Sequence, residues 1–139
     1  MKILLLEDDL ILNEIIEEHL LSQNYEVSAV YTGLEAQDLL YSQKFDLLLL
    51  DVNVPILNGF ELLKELRQKE IYTPAIFLTS LNQVSDIEEG FKSGCDDYIK
   101  KPFELKELDI RINNIKRLFN INPNNLIEIS KDIFLDVEN

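Results

Sequence analysis

One cysteine, one histidine and half as many basic as acidic side chains set the first limits on this chain. Cys95 stands alone, so no disulfide closes within the chain. Between Gly94 and Asp96 it reads as a small packing residue and not as a redox centre. His19 falls inside a helical stretch and reads as a partly exposed helix residue. Histidine phosphoryl carriers usually sit on helical bundles. Lys and Arg total 13 against 26 Asp and Glu, a net charge of −13. Such a chain repels a phosphate backbone, which argues against nucleic-acid binding by this segment alone. No apolar stretch approaches the roughly 20 residues of a bilayer span. The first residues lack a charged-then-apolar leader with a small-residue cleavage site. The expectation is a cytoplasmic protein with no membrane partner.

What is present is more pointed. With 139 residues and 46% hydrophobic content, the chain suits one domain with a small addition. Four short apolar runs each end on a polar residue. Residues 2–6 run into Glu7-Asp8-Asp9, and Leu47 to Leu50 run into Asp51. Ala75 to Leu78 run into Thr79-Ser80, and Asp97 to Lys100 run into Lys101-Pro102. Apolar runs of this length with helical segments between them predict buried parallel strands. A further strand is predicted at Tyr25–Val30, alternating in character. Helices are predicted at Asp9–Ser22, Leu34–Gln43, Phe60–Glu70, Gln83–Lys92 and Glu104–Phe119. In the first of these Leu12, Ile15, Ile16 and Leu20 form the apolar stripe. Strand and helix alternate five times, which implies an α/β fold with a parallel sheet and right-handed crossovers. The expected arrangement is a flavodoxin-like (βα)5 doubly wound sheet of strand order 2-1-3-4-5.

Ligand sites in such a sheet lie at the carboxyl ends of the strands. Carboxylates, a hydroxyl and an ammonium therefore converge on one edge. Asp51 follows four leucines, where an unpaired carboxylate is costly. A cation shared with Asp8 offsets that cost. Mg²⁺ takes oxygen ligands, keeps several waters and often uses one or two carboxylates, a count that Asp8 and Asp51 fit. Glu7 can reach the ion through water. Lys101 precedes Pro102, so it lies in an extended segment or turn, with either isomer of the peptide bond open. Its compact ammonium suits a phosphoryl oxygen. Thr79 can donate a hydroxyl to the same group, or serve as ordinary strand packing. Tyr98 by composition is an ordinary strand aromatic.

With these residues in place the chain resembles the receiver domain of two-component response regulators over residues 1–119. The resemblance makes Asp51 the phosphoacceptor, within Leu-Leu-Asp-Val-Asn-Val-Pro-Ile-Leu-Asn-Gly. It makes Glu7-Asp8 the acidic pair, Thr79 the switch hydroxyl, Tyr98 the switch aromatic and Lys101 the lysine of a Lys-Pro-Phe motif. It adds the backbone carbonyl of Asn53 to the Mg²⁺ ligands. The partner implied is a sensor histidine kinase. The family member is a phosphorylation switch that catalyses only its own phosphorylation and slow dephosphorylation, not an enzyme with turnover on a separate substrate.

Residues 94–112 resemble the OmpR/PhoB group, which dimerises through its fourth helix, fifth strand and fifth helix. Asp97 and Arg111 match one intersubunit ion pair of that group. Glu107 matches an acidic partner, while Ile87 stands where a basic residue is expected. Residues 120–125 read as a polar linker. Residues 126–139 resemble the first strands of a winged-helix DNA-binding domain, as two short strands around Lys131-Asp132. DNA binding is then expected only through an output domain missing from this chain.

Other classes fit less well. A metal-dependent phosphatase with an aspartyl nucleophile carries a second carboxylate two residues on, where this chain has Asn53. A flavin module needs a phosphate-cradling loop after the first strand, where Glu7-Asp8-Asp9 would repel the phosphate. Within the leading class the alternative is a stand-alone receiver signalling by protein contact.

Overall fold

The structure, a computed structural model, describes residues 1–80 and 84–120, with side chains from 86 onward in the second stretch. The linker beyond Asn120 and the tail strands expected over 126–139 lie outside the described residues, as does the expected helix start at Gln83. Five strands form one parallel sheet: β1 (Lys2–Leu6), β2 (Glu26–Val30), β3 (Leu47–Asp51), β4 (Ala75–Thr79) and β5 (Asp97–Lys100). Their order is β2-β1-β3-β4-β5, as the alternation predicts. The intervening helices are α1 (Leu10–Ser22), α2 (Gly33–Ser42), α3 (Gly59–Gln68), α4 (Val84–Lys92) and α5 (Leu105–Phe119).

The run of four leucines in β3 works because successive side chains point to opposite faces. Leu48 and Leu50 join Leu62, Leu63, Leu66 and Phe77 in one core cluster. Leu47 and Leu49 join Ile16, Leu20, Leu108 and Ile112 in the other. Each of these fully buried leucines contributes about 1.5–3 kcal/mol relative to exposure. The register aligns Leu6 with Leu50, Asp51 with Leu78 and Thr79 with Lys100. The residues that end β1, β3, β4 and β5 therefore reach the same edge.

The helix starts are chemically marked. Asp9 caps α1 by accepting from the backbone N–H groups of Ile11 and Leu12, both at 3.0 Å. Thr32 with Glu35 and Asn58 with Glu61 form capping boxes on α2 and α3.

Two sequence expectations are corrected. Ile15 does not belong to the buried stripe of α1; it is exposed, and Asn13 is buried on that helix instead. Nor does β2 alternate: it is an edge strand on which Val30 alone is buried.

Candidate functional site

The chain leaves β1 at Leu6, and the next side chain, Glu7, is 0% exposed. Its backbone is held from two sides. The Glu7 N–H donates to the Val30 carbonyl at 3.2 Å. The Asn13 amide donates to the carbonyls of Glu7 at 2.9 Å and Val30 at 3.1 Å. Asn13 thus pins the ends of β1 and β2 together, and its own Oδ1 is buried without a hydrogen-bond partner. The Glu7 Oε2 accepts from the Asp9 N–H at 3.1 Å.

Asp51 closes β3 and is 3% exposed. Its Oδ1 accepts from the Asn53 N–H at 3.1 Å. Thr79 closes β4, 1% exposed, and its carbonyl accepts from the Lys101 N–H at 2.8 Å. The Lys101–Pro102 bond is cis. The Lys101 ammonium stands 2.6 Å from Glu7 Oε1 and 3.5 Å from Asp51 Oδ2. Glu7 is thus the nearer of its two carboxylate partners. Asp8 is exposed above them. Ligand oxygens of Glu7, Asp8 and Asp51 all lie within 4.8 Å of one another, so the three can hold a metal ion.

The electrostatics show the strain of this arrangement. Burial pushes the Asp51 carboxyl above its ordinary value, and contact with Glu7 pushes the same way against the pull of Lys101. Asp8 is likewise raised, by burial first and then by its contact with Asp51. Burial alone would lower the Lys101 ammonium, but the Glu7 contact and the Asp51 charge outweigh it and hold it above its ordinary value. When ionised, three carboxylates meet one ammonium, an excess of negative charge that a hard divalent cation fits.

The loop after Asp51 is tightly bound. The Val52 carbonyl accepts from the N–H groups of both Val54 and Gly59, at 3.1 Å each. A Cβ at Gly59 would stand 2.7 Å from the Asp51 carbonyl oxygen, and one at Gly33 would collide with the Leu57 carbonyl oxygen. Both glycines let backbone approach backbone.

On the opposite edge of the sheet, Arg111 reaches Asp97 at 3.3 Å and Glu107 at 3.5 Å within the same chain. Ile87 and Tyr98 are half-buried, and Phe91 is exposed on α4. Burial raises the Tyr98 hydroxyl, with the charge of Asp86 adding to it. His19 is half-buried and pairs with Asp109 at 2.8 Å, joining α1 to α5.

A buried aspartate beside two further acids and one lysine, at the carboxyl edge of a doubly wound sheet, defines a class of acidic-pocket α/β domains. The chain belongs to the response regulator receiver domain family, whose signature it matches over residues 3–113. It is 46% identical over 134 residues to the transcriptional regulatory protein CrdR of Helicobacter pylori, covering 96% of this chain and 60% of that protein. It is 40% identical over 117 residues to the response regulator protein PmrA of Pseudomonas aeruginosa, covering 84% of this chain and 53% of that protein. The chain thus spans just over half the length of these relatives. Among solved structures, the receiver domain of Francisella response regulator 1452 superposes with a TM-score of 0.81 at 35% identity. That match covers 85% of this chain and 98% of the other.

Sequence reasoning missed Asn13. Its one signal was a polar residue set into the apolar side of α1.

Proposed function

We propose that the chain accepts a phosphoryl group on Asp51 from a sensor histidine kinase and so acts as a phosphorylation switch. The observation that carries this reading is a carboxylate 3% exposed, at a strand end, with a lysine ammonium 3.5 Å away. An Asp51 oxygen attacks phosphorus as the P–N bond to the donor histidine breaks. The imidazole nitrogen keeps that electron pair and takes up a proton. Lys101 neutralises charge on the transferred oxygens. Asp8, Asp51 and the Asn53 carbonyl would hold Mg²⁺, with Glu7 acting through water. When bound, the ion offsets the negative charge that gathers on the phosphoryl oxygens. Once modified, Asp51 carries about −1.5 to −2 charges, by analogy with other phosphorylated side chains. Thr79 would bond the new oxygens and Tyr98 would turn inward beside β5.

The output we infer is pairing with a second copy through α4, β5 and α5. Output domains like those of the transcriptional regulators it resembles would then be brought together. Arg111 is engaged by Asp97 and Glu107 of its own chain, so these contacts must open before they can form between copies. That engagement favours, as a second reading, a receiver that signals without dimerising. Sedimentation with and without phosphorylation separates the two. A dimer fraction that rises and is cut by Asp97→Ala supports pairing; an unchanged mass at tens of micromolar supports the second reading.

The primary test is labelling by acetyl phosphate with Mg²⁺. One acid-labile phosphoryl group per chain is expected, and none in Asp51→Asn. Full labelling of that variant would overturn the assignment.

A further inference from the structure

The loop between β3 and α3 carries one residue that gives the chain nothing inside its own fold. Ile56 is 87% exposed, and among the described residues no large apolar side chain is more so. It also has φ +71. For a β-branched residue a positive φ is a genuine outlier. The Leu57 N–H donates to the Pro55 carbonyl at 2.8 Å, which makes Ile56 the centre of a γ-turn of the rare positive-φ kind. The turn is fixed on both sides. Pro55 presets its own φ, and Leu57 packs against the core while its carbonyl fills the space beside Gly33.

A scattered surface hydrophobe by itself needs no explanation. Ile56 combines two liabilities, exposure and strain, where glycine or asparagine would carry neither. Strain of this kind collects at functional sites when the surroundings over-determine it. Its place is specific as well: five residues beyond Asp51, on the loop that holds the Asn53 carbonyl. Leu10 and Ile11, at the start of α1 just past Asp8, are also largely exposed. A small phosphodonor can enter the acidic pocket from solvent. A protein-borne phosphohistidine reaches a carboxylate 3% exposed only when the donor's own surface settles on the rim.

Resting on the aspartyl-phosphate reading above, we propose that Ile56 is a docking contact for the histidine-bearing domain of the phosphoryl donor, held outward on the rim by its γ-turn. The residue acts by positioning the donor and does not touch the reacting atoms.

Ile56→Gly and Ile56→Asn relieve the φ strain and remove the apolar contact together. Three measurements test the proposal on the full chain: melting temperature, labelling rate by acetyl phosphate, and kcat/KM for transfer from an autophosphorylated sensor-kinase core chosen because it labels the unaltered chain. Both variants should melt higher, by about 2–6 °C. Acetyl phosphate labelling should be unchanged, and transfer from the kinase should fall about tenfold, the loss typical of an anchoring contact. Unchanged transfer from the kinase would overturn the proposal. So would an equal fall with both donors, which would place Ile56 in the geometry of the pocket, and so would an unaltered or lower melting temperature. Failure of acetyl phosphate to label the unaltered chain would instead sink the aspartyl-phosphate reading.

Discussion

Leu50 and Asp51 are neighbours on one strand, equally out of reach of solvent, and they do opposite things to the fold. The stem of the sheet, from Ile3 to Leu6 and from Leu47 to Leu50, is fully buried and apolar. One residue further along, the chain places the carboxyl groups of Glu7 and Asp51, buried almost as deeply. The stem supplies stability and has no chemistry. The edge holds the proposed chemistry and gives up stability for it, since burial raises the carboxyls of Asp8 and Asp51 and makes their ionisation costlier than in the unfolded chain. Stability and function are thus divided within a strand, at a single peptide bond.

Substitutions on either side of that bond should separate cleanly. Leu49→Ala should give the largest effect on stability, a loss of about 2–5 kcal/mol from the cavity it leaves. Its folded fraction should still be labelled by acetyl phosphate at the usual rate. A Leu49→Ala chain that is stable but cannot be labelled would erase the division.

Asp51→Asn should act in the reverse sense, abolishing labelling while raising the melting temperature of the metal-free protein by about 2–5 °C. Thermal melts in EDTA decide the sign, and a clear fall would mean that the Lys101 contact outweighs the repulsion.

The metal dependence should follow pH. Because the folded values of Asp8 and Asp51 lie above the ordinary carboxylate value, their contribution is fully present below that value. It is lost as pH rises through the raised values. The stabilisation by Mg²⁺ should therefore be largest near neutral pH and fade in acid, where protons compete for the same oxygens. Asp8→Ala should remove most of it. A thermal shift by Mg²⁺ that is independent of pH, or equal in Asp8→Ala, would detach these acids from the metal.

The smallest effect belongs to the stem side. Cys95 is buried in the α3-side core, and burial, with Asp96 and Asp97 adding to it, pushes its thiol up to about 12. The native protein should resist iodoacetamide at pH 8 and react readily in denaturant. Rapid alkylation of the folded chain would show that this part of the stem opens.

The stem was also the easier part to read. Runs such as Leu47 to Leu50 announce buried strands by composition alone, and the five-fold alternation points to a doubly wound sheet, whose expected order is the one observed. The edge was legible as a convergence of residue types, because parallel strands must deliver their carboxyl ends together. What escaped were relations with no periodic signature. Asn13 is buried because it satisfies two carbonyls from different strands, a fact absent from the helical repeat that placed Ile15 inside. Glu7 meets Lys101 at 2.6 Å, a contact between distant stretches of chain that no sequence period announces. The γ-turn at Ile56 depends on a backbone angle that an isoleucine does not advertise.

One backbone hydrogen bond carries a consequence for how the pocket can move. The Lys101 N–H is fastened to the carbonyl of Thr79 at 2.8 Å, so the ends of β4 and β5 are joined at the two residues whose side chains would serve the same guest on the proposed function. A shift of the Thr79 backbone toward Asp51 must carry the lysine's main chain with it. On the proposed function the hydroxyl and the ammonium would be two hands on one lever, and the pocket's grip on an added group would be set by a single motion, not by two independent ones.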